Sequence, residues 1–446
     1  MADSISRRTF VKTAVLASAA TPLLYPRRAA ARSPNERLNI AFVGVGGICG
    51  RHTNDAFNAG AGCPCYCDAD SKRMDNAAKR WPDARAYTDY REMFDKHHKD
   101  IDAVMVGTPD HSHYPATMIA MQLGKHVFTQ KPLTHTVWES RQLFLATRKY
   151  KLATQMGNQG HAGEGNRQIV EYVRSGMLGQ IREIHCWTNR PIWPQGVGRP
   201  EGEDPIPENL NWDAWIGPAA MRPFKSGVYH AFNWRGWLDF GAGALGDMAC
   251  HTMDSVFWSM EPGYPTAVEP VAATPVNDET FPNASVVKWE FPARGGRPAF
   301  DVYWYDGGLR PKRPVELEQG RDLPNTGNLY LGSRATLLVA GDYGERPRII
   351  PEEKALQLGP PPKMLDRSPG HMQEWVMACR GEKSYDYPGS NFQYAAPFTE
   401  TVLLGNVALS AGKRLEWDGD GLEVTNLPEA NALISKEYRE GWKFTL

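Results

Sequence analysis

The feature that most constrains the fold of this 446-residue chain is a short apolar strand followed at once by a glycine-rich turn. Residues 38–43 (LNIAFV) predict a buried strand, and residues 44–50 (GVGGICG) come directly after it. Gly44 permits a tight turn, Gly46 lets the backbone approach a phosphate, and the next helix offers free N–H groups at its N-terminus. Cys49, at the third fingerprint position, is small enough for close packing of helix on strand. The pattern predicts a dinucleotide-binding βαβ unit.

The next strand ends in an acidic residue that bears on the choice of cofactor. Residues 63–68 (CPCYCD) predict a strand, and Asp68 lies 24 residues after Gly44. The acid that binds the ribose hydroxyls is expected at a spacing of about 20 residues. A carboxylate there disfavours a 2′-phosphate, so NAD is predicted rather than NADP. The three cysteines would share one face of the strand as small apolar side chains, and no metal site is predicted.

Strands and helices alternate in the first third of the chain. Strands are predicted at residues 101–106 and 125–128, and helices at 87–99 and 114–123. This alternation predicts an α/β fold whose doubly wound parallel sheet forms an NAD-binding Rossmann domain over residues 36–155. Further strands are predicted at 182–188, 285–291, 299–305, 335–339 and 348–350, and helices at 164–175, 245–260, 372–380 and 395–411. They fit a substrate-binding α+β domain with an open, mostly antiparallel sheet over residues 156–446.

The first 31 residues predict a targeting segment rather than part of the fold. Residues 6–12 (SRRTFVK) form a twin-arginine pattern, an apolar run follows at 13–24, and small residues stand at 29–31. The run is shorter than the roughly 20 residues that span a bilayer. Residues 1–31 therefore predict a twin-arginine signal peptide and export to the periplasm. No other segment is long and apolar enough to predict a membrane span.

Composition narrows the classes of partner. The formal net charge of −1 at pH 7 gives no basic surplus, so neither nucleic acid nor an anionic membrane is predicted as a partner. Seven cysteines in this length are too few for a disulfide scaffold. Fourteen Trp and 17 Tyr supply flat amphipathic rings that suit a sugar-like ligand, although such rings are also ordinary core residues.

Several ordered motifs resemble those of one enzyme family. They are the glycine fingerprint at 44–50, TPDHSH at 108–113, GKHV at 124–127, QKP at 130–132, SGMLGQI at 175–181, and WR at 234–235 before GAGALGDMACH at 241–251. Over most of residues 38–440 the chain resembles the glucose–fructose oxidoreductase, inositol dehydrogenase and MocA (Gfo/Idh/MocA) family. The resemblance implies an open sheet in the substrate domain and C-terminal helices that pack back on the first domain. It also implies a homo-oligomer, a dimer or a tetramer.

The same resemblance implies three catalytic residues. The lysine of the family's Glu-Lys-Pro motif lies beside the nicotinamide and the substrate, and it corresponds to Lys131, here preceded by Gln130 in place of Glu. The family's Asp-x-x-x-His signature corresponds to Asp247 and His251. Residues four apart on a helix share one face, so His251 would accept a hydroxyl proton while Asp247 orients it or binds a substrate hydroxyl. The missing carboxylate before Lys131 leaves open whether the lysine is an acid, a base or an electrostatic anchor.

The expected binding residues come from these motifs and from aromatic residues near them. Cofactor contacts are predicted at Gly44, Gly46, Gly47, Ile48, Asp68, Thr108, Pro109, His113, Gln130, Lys131, Asn158 and Trp234. Substrate contacts are predicted at Lys131, His161, Trp193, Tyr229, Arg235, Asp247 and His251, with His230 and Trp234 as further candidates for the pocket wall. Residues 190–200 form a Pro/Gly-rich stretch that predicts a lid, an arm or a partner contact rather than core.

The sequence thus predicts an exported oxidoreductase that transfers hydride between NAD and a hydroxyl of a sugar or glycoside. Free NAD is scarce outside the cytoplasm, so a tightly bound cofactor is expected. The alternative is an NAD-dependent glycoside hydrolase that works by transient oxidation, elimination, hydration and re-reduction. A second alternative is a non-catalytic protein that binds NAD or a sugar, and the joint presence of Lys131, Asp247 and His251 argues against it.

Overall fold

A parallel sheet of six strands forms the N-terminal part of the computed structural model, which describes residues 37–444. Its strands are β1 (Ile40–Val43), β2 (Cys65–Cys67), β3 (Arg85–Tyr87), β4 (Ala103–Val106), β5 (His126–Thr129) and β6 (Thr154–Met156). Their order is β3-β2-β1-β4-β5-β6, and all neighbours are parallel. The order reverses between β1 and β4, where such sheets bind ligands beyond the carboxyl ends of their strands. The predicted signal peptide, residues 1–31, lies outside the described residues.

Both faces of this sheet are buried. In β1, Ile40 and Phe42 belong to one core cluster, and Ala41 and Val43 belong to another, because successive side chains of a strand point to opposite faces. The helices of this part are α1 (Gly47–Asn58), α2 (Asp75–Arg80), α3 (Tyr90–His97), α4 (His113–Gln122) and α5 (Val137–Tyr150). The doubly wound parallel sheet predicted from the sequence is confirmed.

A sheet of nine strands forms the second part of the fold. Its strands are β7 (Ile181–Trp187), β8 (Ala267–Ala273), β9 (Ser285–Phe291), β10 (Phe300–Tyr305), β11 (Gly327–Gly332), β12 (Thr336–Ala340), β13 (Arg348–Ile350), β14 (Leu415–Asp418) and β15 (Glu423–Val424). The order is β13-β12-β11-β7-β10-β9-β8-β14-β15. Neighbours are antiparallel except β7 and β10, which are parallel. The predicted open, mostly antiparallel sheet is confirmed.

Helices connect the second sheet to the first. They are α6 (Glu164–Arg174), α7 (Trp212–Ile216), α8 (Gly243–Thr252), α9 (Asp254–Met260), α10 (Glu352–Leu358), α11 (His371–Cys379) and α12 (Phe392–Ala411). The single helix expected over residues 245–260 is two helices, α8 and α9. The Thr252 carbonyl at the break accepts a hydrogen bond from the Asn328 amide of β11. At the other end of the fold, α12 packs on α5, where Arg141 Nη2 pairs with Glu400 Oε1 at 2.7 Å.

Residues 188–242, between β7 and α8, form an excursion that we call the roof segment. Its core is a cluster of apolar residues, most of them aromatic: Leu210, Trp212, Trp215, Ile216, Ala219, Phe224, Tyr229, Trp234, Trp237 and Phe240. Its Pro/Gly-rich part, residues 190–200, was expected to lie outside the core. That expectation is wrong for Trp193 and Gln195, which are buried, because the Trp193 indole donates to the Gln195 amide oxygen at 2.8 Å inside the protein.

Candidate active site

The glycine loop between β1 and α1 adopts the tight turn that its sequence predicts. Gly44 has φ +85° and Gly47 has φ +54°, values that other residues rarely adopt. A Cβ at Gly44 would lie 2.6 Å from the Gly107 carbonyl oxygen, whereas a Cβ at Gly47 would meet nothing within 4 Å. The Cys49 sulfur packs so closely on Gly107, just after β4, that a side chain has no room there. The loop is thus held against the end of β4, with open space in front of Gly47.

Asp68, just after β2, braces this loop. Its Oδ2 accepts hydrogen bonds from the N–H groups of Val45 (3.0 Å) and Gly46 (3.3 Å), and its Oδ1 accepts one from the N–H of Asp70 (3.0 Å). Burial raises the pKa of Asp68, and these hydrogen bonds oppose the rise. Arg73 lies over Gly46, where a Cβ would come within 2.5 Å of its Nη1. Asp68 lines the cavity described next, and its contact with a ribose remains a prediction.

A cavity of about 280 Å³ lies beyond the carboxyl ends of the parallel strands, next to residues of the roof segment. Of the predicted cofactor contacts, the residues that line it are Gly44, Gly46, Gly47, Ile48, Asp68, Thr108, Pro109, His113, Gln130, Lys131 and Trp234. Three buried polar atoms of its wall, Thr108 Oγ1, Asp110 Oδ1 and Gln130 Nε2, have no hydrogen-bond partner. Because unpaired buried polar groups are rare in proteins, these atoms and the glycine loop together fit a bound dinucleotide.

Two cations in the cavity wall meet at one carboxylate. Lys131 Nζ donates to Asp247 Oδ1 at 2.7 Å and to the Asp247 carbonyl oxygen at 2.9 Å. Arg235 Nε donates to the same Oδ1 at 3.2 Å. Lys131 follows β5, Arg235 belongs to the roof segment and Asp247 lies on α8, so three distant parts of the chain meet here. The structure thus brings Lys131 and Asp247 together, with Arg235 as a third member.

These charges set the protonation state of two acids. Burial alone would raise the pKa of Asp247, but Lys131 and Arg235 outweigh it and lower the pKa to about 2. For Asp110, burial and the charge of Asp247 raise the pKa to about 8. Asp110 Oδ2 accepts the N–H of Ala242 at 3.0 Å, and its Oδ1 is unpaired. At pH 7, Asp247 is therefore ionised and Asp110 is mostly protonated.

In Asp110→Asn, the free energy of unfolding is expected to fall less as the pH rises than it does in the wild type. The folded-state pKa of Asp110, about 8, lies above the ordinary value of 3.8, so the folded protein holds this proton more tightly than the unfolded chain. Stability therefore falls as the pH rises from about 4 to about 8. An amide keeps the acceptor for Ala242 and cannot ionise. Thermal unfolding of both proteins between about pH 5 and 9 measures the difference, and parallel curves would contradict the prediction.

His251 stands one turn after Asp247 on α8 but does not line the cavity. Its ring packs edge-on against Tyr343, with 4.8 Å between the ring centres, and its Nδ1 has no hydrogen-bond partner. Burial, followed by the charge of Lys131, lowers the pKa of His251 to about 3. The ring is therefore neutral at pH 7. Its part in catalysis remains a prediction.

Two other predicted contacts also lie outside the cavity wall. His161 is buried, where its Nδ1 pairs with Asp254 Oδ1 at 3.0 Å and its ring stacks on Trp258. Asn158 Oδ1 accepts a hydrogen bond from Ser390 Oγ at 2.6 Å, and the Asn158 Nδ2 is unpaired. Both residues follow β6, so the predicted strand end is present, but the side chains turn toward α9 and the segment before α12.

The aromatic and histidine residues predicted in the roof segment divide into two groups. Trp193 and Tyr229 are buried away from the cavity wall. His230 and Trp234 line it, and His230 Nε2 pairs with Asp70 Oδ2 at 2.9 Å. Their contacts with a ligand remain predictions.

Sequence reasoning missed several residues of the cavity wall: Arg73, Asp110, Ala214, Trp215, Ala231 and Phe232. Asp110 had a usable signal, because it is the acid of the TPDHSH motif directly after β4. The residues of the roof segment carry no motif, and only the folding of this segment over the cavity brings them there. Within residues 37–444, no group of three or more metal-ligating side chains is found.

Two profiles of one enzyme family match the chain in succession. The profile described as "Oxidoreductase family, NAD-binding Rossmann fold" matches residues 38–158, and that described as "Oxidoreductase family, C-terminal alpha/beta domain" matches residues 165–282. Together they cover more than half of the sequence. The chain belongs to the Gfo/Idh/MocA family of oxidoreductases.

Individual relatives agree with this assignment. The levoglucosan dehydrogenase of Pseudarthrobacter phenanthrenivorans is 23% identical over 296 residues, which are 64% of this chain and 63% of that protein. An alpha-N-acetylgalactosaminidase of Shewanella oneidensis is 29% identical over 157 residues, 33% of this chain and 34% of that protein. The match thus spans between a third and two thirds of the length of these curated relatives.

A solved structure shows the same fold. The WlbA dehydrogenase of Chromobacterium violaceum, in complex with NADH and UDP-GlcNAcA, superimposes with a TM-score of 0.60 at 17% identity. The superposition covers 89% of this chain and 99% of that one. At this identity the likeness establishes the fold alone.

Proposed function

We propose that the protein is an NAD-dependent oxidoreductase that transfers hydride from a hydroxyl-bearing carbon of a sugar or glycoside. The observation that carries the proposal is the meeting of Lys131, Asp247 and Arg235 in the wall of a cavity that also contains the glycine loop. A protein that only binds NAD has no need of two cations and a protonated acid at this place. The similarity to a levoglucosan dehydrogenase supports a sugar-like substrate.

The residues of the site have separate parts in this reaction. NAD, when bound, supplies the hydride acceptor. Lys131 places a positive charge beside a substrate hydroxyl, which becomes negative as it loses its proton, and fixed charges of this kind are a large part of catalysis. Asp247 holds the lysine in place. His251, one turn after Asp247 on α8, is proposed as the proton acceptor through its unpaired Nδ1, and the family resemblance rather than the cavity wall supports this role.

Two measurements test the proposal. The purified protein is denatured and the released small molecules are analysed for NAD. Intact protein is then offered a panel of sugars and chromogenic glycosides, while nicotinamide reduction and aglycone release are followed separately. We expect bound NAD and reduction without aglycone release. If neither nicotinamide reduction nor aglycone release is observed, the proposal is contradicted and the non-catalytic binding protein is favoured.

A redox-neutral glycoside hydrolase is the second candidate. Asp110, protonated at pH 7, supplies a proton donor in the same cavity wall as Lys131. The similarity to an alpha-N-acetylgalactosaminidase points in the same direction. Oxidation of a sugar carbon acidifies the neighbouring C–H, so an aglycone can leave before water adds and the carbonyl is reduced again. Aglycone release without net reduction would establish this function.

NAD is further proposed to stay bound between turnovers, since the roof segment is fastened to the loop after β2. In that loop, Asp70 Oδ1 accepts a hydrogen bond from Asn209 Nδ2 at 2.6 Å, and its Oδ2 pairs with His230 Nε2 at 2.9 Å. The N–H of Ser71 also donates to the Asn209 carbonyl at 2.9 Å. These contacts join the two sides of the cavity next to Asp68, where an adenosine ribose is predicted.

Asp70→Ala is expected to speed the release of NAD by at least about 10-fold, because it removes the acceptor of both side-chain hydrogen bonds from the roof segment, worth roughly 1 kcal/mol each. The loss of NAD from loaded protein during repeated filtration measures this rate. Asp204→Ala is the matched control, since Asp204 pairs with Lys225 inside the roof segment and does not contact the loop. Equal retention of NAD by the three proteins would contradict the role of Asp70.

Export by the twin-arginine route and assembly into a homo-oligomer are also proposals. The SRRTFVK motif supports the first, and the family resemblance supports the second. Cell fractionation and light scattering test them. Within residues 37–444, no helix combines the length and the apolar character that crossing a membrane requires.

A further inference from the structure

Two arginines of the roof segment are surrounded by aromatic rings, and they differ in how their charge is compensated. The guanidinium of Arg222 lies 5.3 Å from the ring centre of Tyr229 and 4.9 Å from that of Phe240. It pairs with two carboxylates, Asp239 and, at 3.2 Å, Glu279. Arg222 does not line the cavity. Its positive charge is fully compensated by the protein itself.

Arg235 has a similar aromatic surround but a different set of partners. Its guanidinium lies 4.4 Å from the ring centre of Trp234, 4.5 Å from that of Phe232 and 5.7 Å from that of Trp193. Nε donates to Asp247 Oδ1 at 3.2 Å and Nη1 to the Phe232 carbonyl at 3.1 Å. Among the described residues, Nη2 has no hydrogen-bond partner, and Arg235 lines the cavity.

The carboxylate that pairs with Arg235 is also the partner of a second cation. Asp247 Oδ1 also binds Lys131, so two cations face one ionised acid. The nearby Asp110 is protonated at pH 7, and burial lowers the pKa of His113 to about 4, so neither group alters the balance. The group formed by Lys131, Arg235 and Asp247 therefore has a net charge of about +1. The Arg235 side chain is 21% exposed, so solvent screens this charge only in part, and an anionic ligand would neutralise it.

We propose that the substrate carries an anionic oxygen group, a carboxylate or a phosphate, which Arg235 binds through Nη2. This inference rests on the proposed oxidoreductase function and narrows its substrate class to acidic sugars. The aromatic surround suits such a role, because a guanidinium that is already fixed and planar matches carboxylate and phosphate oxygens and loses little freedom on binding. Phe232, 45% exposed, leaves the surround open to solvent on one side.

The test compares matched neutral and acidic sugars on NAD-loaded protein. Glucose, galactose and mannose are each set against their uronate and their 6-phosphate. We expect at least one acidic member to exceed its neutral counterpart about 10-fold or more in kcat/KM, mainly through a lower KM. Comparison of each uronate with the 6-phosphate of the same sugar shows whether the site prefers a carboxylate or a phosphate. Preference for the neutral sugars would overturn the inference while leaving the proposed function intact, whereas the absence of any reduction would contradict the proposed function.

Substitution of the arginine gives the second arm. Arg235→Gln is expected to bring the ratio of acidic to neutral kcat/KM to about 1, whatever its effect on the overall rate, and Arg235→Lys is expected to restore part of the ratio. Arg199→Gln is the matched control, because Arg199 of the roof segment pairs with Glu279 and does not line the cavity.

A third readout does not depend on turnover. An acidic sugar is expected to raise the unfolding temperature of the NAD-loaded wild type, and to do so much less in Arg235→Gln. If Arg235→Gln instead loses its NAD while its sugar selectivity is unchanged, the anion bound by Arg235 belongs to the cofactor, and the inference is overturned.

Discussion

Lys131→Met is expected to lower kcat by roughly 10³-fold while the protein stays folded and retains NAD. The ammonium group is held 2.7 Å from Asp247 Oδ1, in the cavity wall where the substrate hydroxyl is proposed to react. Methionine has a similar length but no charge and no donor, so the developing negative charge loses its stabilisation. Arg235 still pairs with Asp247, which prevents an orphaned carboxylate and preserves the fold. Steady-state kinetics and the NAD content after purification measure the two parts of this prediction.

The control variant is Lys149→Met, which changes an exposed lysine of α5 and should leave kcat within about 2-fold, as most surface substitutions do. Lys131→Arg should restore the charge without the activity, because a planar guanidinium does not occupy the position of the ammonium group. Wild-type turnover by Lys131→Met would remove the lysine from the mechanism.

Gly107→Ala is expected to reduce the affinity for NAD by at least about 100-fold and to destabilise the fold by about 1–3 kcal/mol. A Cβ at this position would stand 1.6 Å from the Cys49 sulfur, so α1 and the glycine loop would have to move away from β4. That loop is the predicted cradle of the pyrophosphate, and its displacement removes the aligned N–H groups. The NAD content of purified protein and its unfolding in urea are the measurements.

A second substitution makes this prediction specific. Cys49→Ala in the Gly107→Ala background removes the sulfur that causes the collision and should restore part of the NAD affinity. The remaining Cβ of residue 49 lies 3.0 Å from the added Cβ, which limits the recovery. Gly198→Ala is the control, because a Cβ there meets nothing within 4 Å. Failure of the double variant to recover any affinity would mean that the contact with Cys49 is not the cause.

Local patterns in the sequence predicted the glycine loop that lines one side of the cavity. The turn at Gly44 and the short spacing to α1 depend on backbone conformation, which adjacent residues determine. The same holds for Asp247 and His251, whose four-residue spacing on α8 follows from helix geometry once the helix is assigned. The boundary predicted between residues 155 and 156 remains a prediction.

The rest of the site depends on contacts between distant residues, which no local pattern encodes. Asp70 meets Asn209 and His230 across 139 and 160 positions of the chain. Two of the unpredicted strands, β3 and β8, show the same limit. β8 contains Pro270 and has its last residues exposed, and the three residues of β3 are exposed or half-buried, so neither strand shows the apolar pattern that marks a buried one.

His161, whose contact with a substrate stays a prediction, illustrates a different limit. A histidine after a strand end, beside a presumed ligand site, fitted a substrate contact, but Asp254 supplies a buried partner that the sequence did not reveal. A buried histidine with its own carboxylate is satisfied within the protein. Charge pairing in the folded state thus decides which polar residues remain available to a ligand.

The residues that follow β15 contact both the roof segment and α3. Arg439 Nε donates to the Gly217 carbonyl at 3.0 Å, and the Trp442 ring lies 3.7 Å from the Arg91 guanidinium. A movement of the roof segment away from the cavity would therefore have to break these contacts as well as those of Asp70.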